Sequence, residues 1–477
     1  MLNLFVKDLF IYTLPTIFSR SIGILLLPIY TRIVSPVQLG ALDLFIAFGN
    51  LITIIVALEI TQAISRYIPN AHKLAGKYAF IGLMFTATMY LILMTILVNY
   101  SDLISKSLTG SGDFEFEFLL SLAYVTSNAF YYYFQNLLRF SGKSVQFAVS
   151  SIIYAVSNLA FAFIFGFIFQ LGLSGILLAL FSSSLISSLI SFLFIGNYFK
   201  VTFNLRFLFK LLKFSSPLVP SSILVIFGLY VDRYFISHYL GIENVGIYSV
   251  AFRIASVSSL VMIGFQMALT PLIYKHYKQP QTRSDLSLIF KYFTVLASLF
   301  FLIFSIFSQN ILMILTTASY FDSSYIVSIL ILSFFFSQMY IFMPGINIAK
   351  KTHLFLLVNL IIAICNVLFN MILIPNFELA GAAAAKTASF FIGFLFFIFF
   401  SQKYYFVNHD WKKHTYNLIF ALLIVFIYFY TFQNLTGFIS LSVKFFLILL
   451  FISSMYISGL LKREDFSKVK SLIPKKQ

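Results

Sequence analysis

About fourteen apolar runs, each close to 20 residues, follow one another along this chain, and a bilayer core of about 30 Å calls for helices of that length. They fall near 8–31, 38–62, 77–99, 115–138, 145–169, 172–197, 212–238, 243–268, 286–308, 322–345, 353–374, 379–400, 415–433 and 440–461. With 60% apolar residues, 10% charged and a mean hydropathy of +0.97, the chain has too little polar surface to cover a soluble core. The fold class is an all-α, polytopic membrane protein. Tight turns make hairpins of 145–169/172–197 and 353–374/379–400. The 62 Phe residues read as lipid-facing filler.

Net charge of +17 could indicate nucleic acid, but its placement argues for topology. With the N-terminus in the cytoplasm, about 25 of the 32 Lys and Arg fall on that side, against about three outside. Arg139, Lys143, Arg206, Lys210, Arg283, Lys291, Lys412 and Lys413 are among the inner ones. Both termini are therefore expected inside, with the basic tail on the membrane surface and no nucleic-acid partner. Met1–Lys7 is too short for a cleaved signal peptide, so the first span is expected to be retained. The single cysteine, Cys365, excludes an intrachain disulfide and a thiol metal site. His409 and His414 are read as a solvated interfacial loop in preference to a metal pair. No metal or cofactor is expected.

Glycine-marked turns recur at one offset. Gly40 and Gly246 lie 206 residues apart (246 − 40), as do Gly175 and Gly381 (381 − 175), with Asn158/Asn366 and Pro15/Pro220 close to the same spacing. The chain is thus expected to hold two six-helix bundles, 1–204 and 205–405, followed by two further spans and a basic tail at 406–477. Six is even, so the bundles share an orientation and are related by a pseudo-two-fold along the membrane normal, an arrangement suited to alternating access.

Ionisable groups at membrane depth are costly and mark function by default. Arg20 lies about 12 residues, roughly 18 Å, into the first span, and Arg253 about 10 residues into the eighth. One comes from each half, and paired guanidinium groups suit a diphosphate. Asp43 and Glu59 on the second span are candidates for carrying a coupling H+ or Na+. Asp232 and Arg233 near the end of the seventh span read equally as an ion pair, as snorkelling side chains or as gating residues. Lys386 is expected to snorkel outward. Gln62, Asn128 and Gln135 are expected to line a cavity or bridge helices, and Pro15, Pro28, Pro220 and Pro271 to kink spans one, seven and eight. A glycosyltransferase or polymerase would need an extramembrane acidic domain. The short Asp113/Glu115/Glu117 cluster is not one, so no enzyme is expected.

LLLPIYTRIVSPVQLGALDLF, FSSPLVPSSILVIFGLYVDRYFISHYLGIENVGIYSVAFRIA and IPNFELAGAAAAKTASF resemble the polysaccharide-exporting branch of the multidrug/oligosaccharidyl-lipid/polysaccharide (MOP) flippase superfamily. The resemblance covers essentially the whole chain. It implies two bundles in a V shape and, as function, transfer of undecaprenyl-diphosphate-linked oligosaccharide units to the outer leaflet of the bacterial cytoplasmic membrane. The product would be O-antigen of lipopolysaccharide, capsule or exopolysaccharide, with a polysaccharide polymerase and a chain-length regulator as partners beside membrane lipids. It also implies substrate-binding roles for Arg20, Arg253 and Asp43, though the first span holds one mid-membrane arginine only. A lipid II-type flippase and a cation-coupled multidrug antiporter of the same superfamily are the alternatives.

Overall fold

The structure is a computed structural model that describes residues 23–68, 74–351 and 353–461. Arg20 and Pro15 lie outside the described residues. Pro28 follows a turn at Leu26 and opens α1 (Leu27–Ile33). Ser35 then caps α2 (Pro36–Ala57): its hydroxyl accepts from the Gln38 amide, and the Gln38 side chain accepts from the Ser35 amide. Leu58 and Glu59 interrupt the second span in the left-handed region, at φ 44° and 54°, before α3 (Ile60–Tyr67).

The chain continues through α4 (Ala75–Asn99), α5 (Glu115–Phe140), α6 (Ser144–Phe163) and α7 (Gly172–Ile195). A π turn at Ile164–Ile168 and positive φ at Gln170 and Gly172 close the expected α6/α7 hairpin. A basic amphipathic helix, α8 (Leu205–Ser215), precedes α9 (Val219–Leu240), which carries Pro220 in its first turn. α10 (Ile242–Ala255) and α11 (Ser258–His276) are separated by a turn at Ser256-Val257, well before Pro271. Then come α12 (Gln281–Ile306), α13 (Ser324–Gln338), α14 (His353–Tyr404), α15 (Trp411–Ile427) and α16 (Gly437–Ile457).

Eleven helices among the described residues are long and apolar enough to cross a membrane. The difference from fourteen has three sources. The first expected span is described only from residue 23. α5 has the length but falls outside those eleven, and α14 counts once. At 52 residues α14 would be about 78 Å long if straight, far more than a bilayer. It turns at Glu378 (φ 50°, ψ −132°), and Gly393 packs on Ile362 and Val358, so the chain folds back as a hairpin.

Packing divides the described chain into two units, 23–249 with 366–379 and 250–365 with 380–461. In the first, α7 presents a buried hydroxyl stripe, Ser183, Ser184, Ser187, Ser188 and Ser191. Ser184 meets Ser127 of α5, Ser191 meets Ser150 of α6 at 2.5 Å, and Gln135 donates to Ser150 at 2.8 Å. Small residues let these helices approach closely, and the paired hydroxyls bridge from α7 to both neighbours.

The repeat-related glycines meet in this unit. A Cβ on Gly40 would fall on the carbonyl of Ile242, and one on Gly246 on the carbonyl of Pro36. Pro36 and Ile242 are themselves 206 apart (242 − 36), so the crossing of α2 with α10 maps onto itself under the offset found in the sequence.

The second unit has an aromatic core. Phe293 lies 4.7 Å from Phe342 and 5.3 Å from Phe265, and Phe290 lies 5.2 Å from Phe342. The phenylalanine excess is therefore core as well as lipid-facing, because stacked rings fill the space between helices that smaller residues would leave empty.

Candidate functional site

Three of the sequence candidates come together. On α9, Arg233 donates through Nε to Asp43 Oδ2 of α2 at 2.9 Å. Its Nη1 donates to Asp232 Oδ1 and to the Leu229 carbonyl, both at 2.9 Å. Tyr248 of α10 donates its hydroxyl to the other Asp232 oxygen at 2.5 Å. The guanidinium also sits 5.0 Å from the Tyr230 ring and 5.5 Å from that of Tyr248. Asp43 is 7% exposed, Asp232 0% and Arg233 1%. Asp232 and Arg233 thus do not snorkel; they form a buried ion pair with Asp43 as a third member. Among the described residues two carboxylates share the Arg233 guanidinium, and such pairing is what makes these groups tolerable away from water. Tyr230 reaches the guanidinium from one turn earlier on α9 itself, whereas Tyr248 is brought to the charges only by the packing of α10 against α9, which no local pattern in the sequence marks.

Glu59 is elsewhere in the same unit, at the break between α2 and α3. It borders a cavity of about 300 Å³ lined also by Asn50, Thr53, Gln62, Asn128 and Tyr132. Gln62 and Asn128 line a cavity as expected, while Gln135 belongs to the serine contacts. Left-handed backbone at two consecutive residues that are not glycine is strained, and strain of this kind gathers at functional positions.

In the second unit, Arg253 is half-buried near the end of α10, and its carbonyl accepts from Ser256 Oγ at 2.6 Å. Lys386 does not snorkel outward: it is 1% exposed, with its ammonium 4.9 Å from the centre of the Phe252 ring. The Ala-rich run Gly381–Ala385 leaves room for the lysine stem to lie inward, where an aromatic face partly replaces water. His409 is not solvated either. It is 3% exposed between Phe290, at 4.5 Å, and Trp411, at 5.3 Å, and neither ring nitrogen has a hydrogen-bond partner among the described residues. Burial, with His414 adding to it, lowers its pKa to about 4. The acidic cluster serves local structure: Glu115 accepts from Ser101 at 2.6 Å and Glu117 from Ser174 at 2.8 Å.

The family model described as "Polysaccharide biosynthesis protein" matches residues 5–277, and the one described as "MatE" matches residues 217–373. No curated protein matches the chain. Among solved structures the chain is similar to the lipid II flippase MurJ in an inward closed conformation, with TM-score 0.72 at 16% identity over 95% of this chain and 100% of that one. It is similar to an inward-facing multidrug resistance MATE family transporter of the MOP superfamily, with TM-score 0.69 at 14% identity over 84% and 98%. A MATE in a straight conformation gives TM-score 0.62 at 17% identity over 84% and 97%. At these identities the likeness speaks to fold alone. With more than half of its length matched by the family model, the chain belongs to the polysaccharide biosynthesis protein family.

Proposed function

We propose that the protein is a flippase, not an enzyme, that moves undecaprenyl-diphosphate-linked oligosaccharide units from the cytoplasmic to the outer leaflet of a bacterial cytoplasmic membrane. The product serves O-antigen, capsule or exopolysaccharide assembly, and both termini lie in the cytoplasm. The two bundles 1–204 and 205–405 alternate in access, and 406–477 adds the terminal pair of helices and the tail. The observation that carries the reading is the presence of cations, Arg253 and Lys386, within the apolar spans of a chain from the polysaccharide biosynthesis family. Cations at that depth suit a diphosphate headgroup. MurJ, with a similar fold, is a lipid II flippase.

Arg20 and Arg253 contact the diphosphate in this reading. Asp43 is held by Arg233 in the present conformation, so it engages substrate or coupling ion only when that pair opens. Asp232 and Arg233 then act as a clasp, and Glu59 beside its polar cavity is the candidate for H+ or Na+ coupling. A polymerase and a chain-length regulator take the product onward.

The test is replacement of Arg253 by Gln in the native host. Surface polysaccharide should disappear while the protein stays in the membrane at its normal level, and normal polysaccharide would overturn the proposal. The MATE likeness favours a second reading, a cation-coupled drug antiporter. That reading predicts drug sensitivity on deletion, with surface sugars intact.

A further inference from the structure

A recess of about 610 Å³ lies at one end of the second unit, walled by three span ends. These are the start of α12, the start of α15, and Gly459 and Leu460 just past α16. Its ionisable lining includes Arg283 and Lys291, about two turns apart on α12, and Lys413 in the first turn of α15, with Asp410 as the one carboxylate. Counting these four, the lining carries +2 (three cations less one acid). Asp410 is engaged by Lys413 at 2.5 Å. The Arg283 guanidinium is held 4.9 Å from the centre of the Tyr405 ring, which fixes its position at the rim.

The first turns of α12 and α15 both border the recess, and the N-terminal end of a helix carries partial positive charge. Leu288, Phe406 and Leu460 supply an apolar side to it. A soluble anion has no use for that side, whereas a glycerol backbone and the first methylenes of an acyl chain do.

We propose that this recess binds the phosphate of an anionic phospholipid headgroup, taken from the leaflet that the basic-residue distribution assigns to the cytoplasm. Basic pockets between spans on that side are the expected partners of such lipids. The phosphate lies between Arg283, Lys291 and Lys413, and it ties the terminal pair α15 and α16 to α12. This is a lipid site apart from the Asp43–Arg233 group, which belongs to the other unit, and it does not depend on what the protein transports.

Trp411 is the chain's single tryptophan and adjoins the recess through Asp410 and Lys413, so its fluorescence reports on the site without labelling. The experiment titrates full-length protein in neutral detergent with phosphatidylglycerol, phosphatidylcholine and inorganic phosphate in parallel. A saturable Trp411 response to phosphatidylglycerol alone is expected. Removing both charges in Arg283→Gln/Lys291→Gln should weaken it roughly 25-fold, about fivefold per charge. The charge-conserving pair Arg283→Lys/Lys291→Arg should keep it within about threefold of the unaltered protein, since the site reads mainly charge. An equal response to phosphatidylcholine, or no dependence on the two charges, would overturn the proposal. So would a saturable response to phosphate alone at the same affinity, which would mark a soluble-anion site.

Discussion

Gly40 and Gly246 pack backbone to backbone, so that a Cβ built on either would lie 3.1 Å from the other's amide nitrogen and closer still to a carbonyl of the facing helix. The methyl of an alanine at either position would overlap a backbone carbonyl, that of Ile242 or that of Pro36, and a carbonyl inside a helix cannot swing aside as a side chain can. The consequence is symmetrical damage. Gly40→Ala and Gly246→Ala should each lower stability by about 2 kcal/mol or more, within the range of overpacked cores, and by similar amounts. Apparent Tm in detergent is the measurement. A loss at one position and none at the other would contradict the self-matching crossing.

The Asp43–Arg233–Asp232 group predicts unequal costs for its members. Arg233→Gln removes the guanidinium that bonds both Asp43 and Asp232 and should cost about 3–5 kcal/mol. Asp43→Asn leaves Arg233 still paired to Asp232 and should cost less, about 1–2 kcal/mol. Adding Asp43→Asn to Arg233→Gln should restore part of the loss, because one of the stranded charges is removed. Thermal unfolding of the four proteins yields the coupling directly.

His409 predicts a pH effect with a definite sign. Its pKa is lowered in the folded protein to about 4, so the folded state favours the neutral ring. The unfolded state binds more protons below its ordinary value near 6.5, and stability is lost as pH falls from there towards 4. The full effect is on the order of 3 kcal/mol. His409→Phe keeps an aromatic ring against Phe290 and Trp411 and should lessen the dependence of Tm on pH across that window without abolishing it, since His414 is a second, half-buried imidazole beside it. An unchanged slope would mean that other groups set it.

The break at Leu58-Glu59 predicts a stabilising substitution. Asparagine adopts the left-handed region more readily than glutamate, so Glu59→Asn should raise stability by about 1 kcal/mol. It also removes the carboxylate from the cavity. If that carboxylate carries the coupling ion, transport should fall while Tm rises, and parallel assays of polysaccharide export and thermal unfolding separate the two effects.

Much of this architecture was legible because its signals are local. Apolar length marks a span wherever it occurs, and a shared offset marks a repeat without any knowledge of contacts. The Gly40/Gly246 crossing adds a structural reason for two of the matched glycines. What stayed hidden depends on how helices are rotated and where they cross. Position along a span does not reveal which way a side chain points, so nothing local in the sequence shows that Lys386 faces inward. Asp43 and Arg233 are 190 residues apart, so their pairing has no local signature. Prolines drew attention as kink sites. Pro28 and Pro220 do sit at helix starts, yet the interruption of the second span falls at a leucine and a glutamate, which no composition rule would pick out. His409 looked like a wet loop residue until the aromatic rings around it were placed.

The hydroxyl stripe of α7 has a practical corollary. Two of its serines, Ser184 and Ser191, bond hydroxyls of neighbouring helices, so part of the cohesion of α5, α6 and α7 comes from short polar contacts that surrounding lipid neither supplies nor disrupts. Extraction into micelles removes the bilayer but leaves those contacts in place. The N-terminal bundle should therefore be the last part of the protein to lose its shape during purification, and the first to exchange its amide hydrogens should be sought elsewhere.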